Sequence, residues 1–300
     1  MNIDQPFIPD FIYNRRRDLH LQFGGNYQNG ISPVSRFPYI FIFTTPRGSN
    51  HGYADQWDNE NVFSYTGEGQ TGDMQFIRGN LALRDSRNNG KRIFLFESAG
   101  NGMVKFISEL EFHDFDYFAT PDNLGNLRKG IKFFLKRVGV SLPAIPNLPK
   151  SLQEPLVEYA SKGETEKYRF VNSRVGQGAY RKRIIHRWNY RCAVTGYSHL
   201  EVLIASHIVP WAECTDQERL DVNNGILLSP TYDALFDRHL ITFDTKGKIH
   251  ISDILDPKAL QLIGITGLEQ INHLDKHNVN YLERHSIEFQ KSYNSRQIRE

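Results

Sequence analysis

The sequence is poor in cysteine, in long apolar runs and in net charge. Only Cys192 and Cys214 occur in 300 residues. That excludes a disulfide-stapled scaffold and any zinc module built on four thiolates. The longest apolar stretch, Phe37–Phe43, is interrupted by Pro38 and falls far short of the roughly 20 residues that span a bilayer. The opening MNIDQPFIPD has neither a basic n-region nor an apolar h-region. No secretory signal is expected, and a cytoplasmic location is. With 36 Lys+Arg against 34 Asp+Glu, the formal charge is only +2, so bulk charge assigns no nucleic-acid partner.

What is present is a globular composition, 39% hydrophobic, 12% aromatic and 23% charged, in a chain long enough for two cores. Pro143, Pro146, Pro149 and Pro155 crowd into Gly139–Pro155. Each fixes φ and removes a backbone donor, which suits a semi-rigid linker. The expected division is a domain at 1–138, a linker at 139–160 and a second domain at 161–300. In the first, Tyr39–Thr45, Val62–Tyr65 and Arg92–Glu97 are separated by PRGSNHG, TGEGQTGD and RNNGK, the rhythm of a β-barrel or sandwich. Leu127–Val138 has near-helical apolar spacing and is predicted to close the domain as a helix.

Beyond the linker, Tyr180, Ile184, Ile185 and Trp188 fall at helical spacing within Ala179–Trp188. Strands are predicted at Val202–Ala205 and Ile226–Leu228, then at Leu240–Phe243 and Lys248–Ile251 around the turn Asp244–Gly247, with helices near Asn272–Arg284. The whole reads as an α+β protein. From Lys167 to Arg191 there are eight Lys/Arg and no Asp or Glu, and Arg15, Arg16 and Arg17 form a second basic cluster. Such clusters are solvated surface unless a site beside them uses them.

Cys192–Asp244 holds the densest set of chemically capable residues. Asp233 and Asp237 are four apart, so on a helix both carboxylates share a face and suit a divalent cation. His207 follows an apolar strand, and an imidazole takes up a proton near neutral pH. Singly, these are a structural histidine and a solvated helix face. Their order, with the CxxTG turn Cys192–Gly196, Ala205-Ser206-His207-Ile208, Pro210-Trp211, Asn224-Gly225 and Asp233–Asp237, resembles the HNH endonuclease superfamily, in the branch without zinc-binding cysteine pairs. The resemblance implies a ββα unit clasping one metal ion. His207 would be the general base, Asn224 would orient it or its loop, and position 233 would supply a ligand.

Departures from the pattern matter. Ser206 stands where many relatives carry a metal-binding Asp, and Asp233 stands at the position of the final histidine in the HNH name. A carboxylate there favours Mg²⁺ or Mn²⁺ over Zn²⁺. His239 is either a third ligand or an ordinary surface histidine. The two CxxC pairs of zinc-bearing relatives read Cys192–Thr195 and Ser229–Tyr232, so no structural zinc is expected. Arg181, Arg183 and Arg219 are candidates to hold phosphate, with an Arg219–Asp221 structural pair as the alternative for the last.

In the first domain, Gly52-Tyr53, Asp55, Asp58, Asn61, Tyr65-Thr66-Gly67, Gly79-Asn80 and Gly90-Lys91 resemble the SRA (YDG) domain, a β-barrel related to the PUA fold that reads modified cytosine. The resemblance implies that a base leaves the duplex and lies between Tyr53 and Tyr65, with Thr66 beside the modification. Gln56 replaces the carboxylate that meets the cytosine amino group, and Asp55 could serve if the loop shifts by one residue. An amide can both accept and donate, so the mark read is open among 5-methylcytosine, hydroxymethylcytosine and phosphorothioate. Together the two resemblances imply a modification-dependent endonuclease acting on double-stranded DNA, paired as a homodimer where both strands are cut. The alternative is a non-catalytic reader with a decayed HNH scaffold.

Overall fold

The structure, a computed structural model, describes residues 6–45, 55–146, 178–215, 217–271 and 273–297. These fall into two compact units, one reaching Leu142 and the other running on from Tyr180.

The first unit is one mixed sheet with short helices. Its strands are β1 (Ile12–Asn14), β2 (Ile31–Pro33), β3 (Tyr39–Thr44), β4 (Gln56–Trp57), β5 (Val62–Thr66), β6 (Arg92–Gly100), β7 (Met103–Pro121) and β8 (Leu127–Arg137). A helical turn at Arg15–His20 leads into α1 (Leu21–Phe23), and α2 is Arg78–Arg84. Among the described residues the pairings run β2-β3-β6-β7-β8-β5-β4, with β1 also on β7. Of these pairings among the described residues, β3 with β6 is parallel and the rest are antiparallel. The long β7 joins two halves: Met103–Leu110 pairs with β6, and Leu110–Pro121 pairs with β8.

Side chains alternate across a strand, and β3 uses this on both faces. Ile40 and Ile42 join Ile93, Leu95, Tyr65 and Phe133 in one core. Tyr39 and Phe41 join Phe7, Phe23, Phe94 and Phe96 in a second, aromatic core. Phe7 is its hub, with ring centroids 5.1–5.7 Å from Phe41, Phe94 and Phe96.

The helix expected at Leu127–Val138 is instead the strand β8. Ile131, Phe133 and Leu135 alternate into the first core, while Lys132 and Phe134 face the other way. Between β7 on one side and β5 on the other, β8 buries apolar side chains on both faces, which the single apolar stripe of an amphipathic helix would not do.

The second unit is built from short pieces. Helix α3 (178–187) precedes β9 (Ile204–His207). One-turn helices at Glu218–Leu220 and Val222–Asn224 lead into β10 (Gly225–Leu228) and α4 (Pro230–Asp237). The hairpin β11 (Ile241–Phe243) and β12 (Ile249–Ile251), α5 (Pro257–Leu262) and α6 (Lys276–Gln297) follow. Strand β9 begins two residues later than the apolar run suggests, because Val202 is exposed. Among the described residues no helix is long and apolar enough to cross a membrane.

Candidate nuclease site and base-reading region

Strands β9 and β10 pair antiparallel, with Gly225 opposite His207 and Ile226 opposite Ser206, and α4 packs on both. This ββα arrangement brings Ser206 and Asp233 together, with His207 next to Ser206 in β9. The buried Ser206 hydroxyl hydrogen-bonds the Asp233 carboxylate. Burial pushes the Asp233 carboxyl up, Ser206 offsets part of that, and Asp237 one turn on adds to it.

His207 is held on three sides. Its ring stacks on Tyr180 with centroids 4.5 Å apart and planes 5° from parallel, and meets the edge of Trp211 at 5.4 Å. Its Nε2 lies 3.0 Å from the Arg219 carbonyl. A carbonyl oxygen only accepts, so Nε2 carries the proton and Nδ1 keeps the lone pair. Burial lowers the imidazole pKa, partly offset by the Arg219 carbonyl.

Asn224, fully buried, fixes the chain after His207. Its Oδ1 accepts from Val209 N at 2.8 Å, and its Nδ2 donates to the Glu218 carbonyl and the Cys214 thiol, both at 3.1 Å. The Asn224 carbonyl accepts from Ile208 N and the Tyr180 hydroxyl. Gly225 follows because space demands it: a Cβ there would lie 2.5 Å from Tyr180 Oη and collide with Ile184.

Several expected residues are engaged elsewhere. Arg181 donates to the carbonyls of Leu203 (2.8 Å) and Leu200 (2.9 Å), and Arg183 is buried with Nη1 3.4 Å from the Leu220 carbonyl. Both brace the approach to β9 through these carbonyl contacts. His239 turns its Nδ1 to His285 Nε2 at 3.1 Å. Arg219 donates from Nε to the Trp211 carbonyl at 3.1 Å, with its guanidinium 5.2 Å from the Trp211 ring. It therefore lies beside His207, whereas Asp221 faces α6. Sequence reasoning missed Tyr180 and Cys214 as partners of the site; the helical spacing of Tyr180 reads only as core.

Among the described residues no three His, Cys, Asp or Glu side chains gather closely enough to form a metal cage. The donors that do meet are hard oxygens, one carboxylate and one hydroxyl. That set fits Mg²⁺ or Mn²⁺, ions that retain water and are commonly held by one or two carboxylates plus substrate phosphate. Where zinc-bearing relatives have thiolates, Cys192 Sγ accepts from Ser229 N (3.3 Å) and Thr195 N (3.4 Å). Tyr232, nearby, hydrogen-bonds Glu269.

In the first unit, β5 carries Tyr65 and Thr66 to opposite faces. Tyr65 is buried in the sheet core and donates to the Phe43 carbonyl at 3.2 Å. Thr66 pairs across the strands with Lys132, whose Nζ lies 2.7 Å from the Thr66 hydroxyl. Asp55 accepts from Thr66 N at 2.7 Å through Oδ1 and from the Thr44 hydroxyl at 3.3 Å through Oδ2. Burial raises the Asp55 carboxyl, and Lys132 is the largest influence against that. Gln56 sits half-buried opposite Ser64. Asn80, fully buried, clamps the backbone of Glu68 and Gln75. Tyr53, the other expected stacking ring, lies outside the described residues.

No curated protein matches the chain. Among solved structures it is similar to the type IV phosphorothioation-dependent restriction endonuclease ScoMcrA, at 15% identity over 95% of this chain and 64% of that one, with a TM-score of 0.41. It is also similar to the sulfur-binding and SRA domains of ScoMcrA complexed with phosphorothioated DNA (17% identity, 45% of this chain, 40% of that, TM-score 0.37). A third is the SUVH5 SRA domain with hemimethylated CG DNA (24%, 47% and 92%, TM-score 0.33). The chain thus spans 40% and 64% of the two ScoMcrA structures' lengths. Two family models match, the ScoMcrA-like SRA domain over residues 11–160 and an HNH endonuclease domain over residues 192–244. The chain belongs to the ScoMcrA-like SRA domain family and carries an HNH endonuclease domain after it.

Proposed function

We propose that the protein is a modification-dependent DNA endonuclease in which the first unit reads a modified base and the second hydrolyses a phosphodiester. The observation that carries the nuclease half is the 3.0 Å contact of His207 Nε2 with the Arg219 carbonyl. With Nε2–H on the Arg219 carbonyl, Nδ1 is the nitrogen left to take a proton from the attacking water. Such general-base help accounts for roughly 10²–10⁴ in rate. Asp233 and Ser206 would hold a divalent cation, which when bound neutralises charge on the phosphate and leaving oxygen. Asn224 keeps the following loop in place, and Arg219 offers its guanidinium to phosphate. One such site cuts one strand, so double-strand cleavage takes two copies of the chain.

For the reading half, both Asp55 oxygens are engaged, one by Thr66 N of β5 and one by the Thr44 hydroxyl at the end of β3. Gln56 is therefore the group assigned to the edge of a flipped cytosine, with Thr66 on the same strand face and Tyr53 as the stacking ring, while Tyr65 stays in the sheet core. Stacking contributes about 1–3 kcal/mol per base, comparable to the extrusion cost.

The test is cleavage of plasmids or duplexes carrying 5-methylcytosine, hydroxymethylcytosine, phosphorothioate or no mark, with Mg²⁺ or Mn²⁺. Cleavage of one marked substrate, its loss with a chelator and a 10²–10⁴-fold lower rate in His207→Ala are expected. Ser206, in place of a carboxylate, favours the second reading, a non-catalytic reader. Binding of marked DNA without cleavage in any divalent ion would establish that reading instead.

A further inference from the structure

The HNH match ends at residue 244, yet the carbonyl that fixes His207 is braced from well beyond it. Arg219 sits in the one-turn helix Glu218–Leu220, and Val222–Asn224 follows at once. Three side chains of α6 reach this segment. Asn278 Nδ2 donates to the Asn223 carbonyl at 2.6 Å, the Tyr281 hydroxyl donates to Asp221 Oδ2 at 2.9 Å, and Arg284 pairs with Glu218. Their three-residue spacing sets them on one side of the helix.

The anchors are themselves tied down. Asn278 is fully buried, and its Oδ1 accepts from Arg187 and from Asp275 N, both at 3.1 Å. Asp221 accepts through its other oxygen from Asn223 N and Nδ2, at 2.9 and 2.8 Å. The second Glu218 oxygen accepts from Thr215 N at 2.8 Å. The segment's own short backbone bonds, Asn224 Nδ2 on the Glu218 carbonyl and Arg183 on the Leu220 carbonyl hold it from within the HNH match, and the 22-residue α6 adds three cross-links from outside it.

We infer that α6 belongs to the nuclease site, with Asn278, Tyr281 and Arg284 as positioning residues that hold the Arg219 carbonyl against His207 Nε2–H. This rests on the nuclease reading above. None of the three touches His207; they act through the Glu218–Asn224 segment. Releasing them lets the imidazole exchange between tautomers and rotate, so the water-facing nitrogen loses its fixed lone pair. A displacement of about 1 Å in such a group costs on the order of a hundredfold in rate.

The experiment uses the full chain with Tyr281→Phe, Arg284→Gln, the two combined, and Arg284→Lys, which keeps the charge pair with Glu218. On cleavable marked DNA, the first two should lower kcat about tenfold each with KM for DNA unchanged, and Arg284→Lys should retain most of the rate. In parallel, long-range ¹H–¹⁵N correlations of His207 should show one Nε2–H tautomer in the wild type and a mixture in the double variant, with melting temperature tracked in each. Unchanged kcat, or a loss confined to KM, would overturn the inference, as would a double variant that stays folded with a single Nε2–H tautomer. A wild type that cuts no DNA would remove the nuclease reading, and the tautomer measurement would still decide whether α6 positions His207.

Discussion

His20 illustrates how a single buried group sets a pH dependence. Its Nδ1 donates to the Gly24 carbonyl at 3.0 Å, its Nε2 is buried without a hydrogen-bond partner, and the rings of Phe41 and Phe43 lie 6.1 and 5.8 Å away. Burial lowers its pKa below the ordinary 6.5, the Gly24 bond opposes that, and Arg15 adds to the lowering. The folded state therefore favours the neutral ring. This contribution is fully present above the unfolded value of about 6.5 and is lost as pH falls through the lower, folded value. Melting temperature should drop between pH 7.5 and 5.0 more in the wild type than in His20→Gln. Equal drops would remove His20 as the cause. The sequence alone offers no sign of this, because the burial of His20 is made by Phe41 and Phe43, more than twenty residues away in the chain.

Elements, by contrast, were legible where one period ran unbroken. The Ile/Phe alternation of β3 reads directly as a strand buried on both faces, and the turn-rich spacing around β5 and β6 places them within a few residues. Where the period breaks, reading fails. Strand β7 shifts register between Phe112 and Asp114, and after that bulge its alternation restarts out of phase. It is the longest strand of the protein's described residues, and its pattern gave no expectation. In β8, apolar residues at 131, 133, 134 and 135 fit either a helix or a strand; its neighbours β5 and β7 decide. The Asn224-Gly225 pair likewise reads as a turn, whereas the glycine is required by its closeness to Tyr180 and Ile184. Gly225→Ala should therefore destabilise the second unit by about 1–3 kcal/mol and reduce cleavage, as chemical denaturation followed at Trp188 and Trp211 would register. A variant with wild-type stability would show that α3 yields at no cost.

At the scale of the whole molecule, the order of His207, Asn224 and Asp233 was visible from sequence because local chain order builds the ββα unit. The brace from α6 was not, since it depends on residues about 60 positions apart. The same distinction governs how the protein should meet DNA. The basic run Lys167–Arg191 suggests eight phosphate contacts, which would give a slope near −7 for log affinity against log salt. Yet Arg181 and Arg183 bind backbone carbonyls, and Arg187 binds Asn278 and pairs with Asp275. Near the N-terminus, Arg15 donates to the Asn29 carbonyl and packs over Phe43, and Arg17 pairs with Asp18. Internal engagement removes three cations of the run from phosphate duty, so the run's five others with Arg219 should give binding to unmarked DNA a slope no steeper than about −5.5. Preference for marked DNA should persist as salt rises, because base contacts carry it. Fluorescence anisotropy with marked and unmarked duplexes from 50 to 200 mM salt measures both quantities. A slope near −7 would mean that these arginines leave their carbonyl partners on binding, and a preference that vanishes with salt would place selectivity in phosphate contacts rather than in the flipped base.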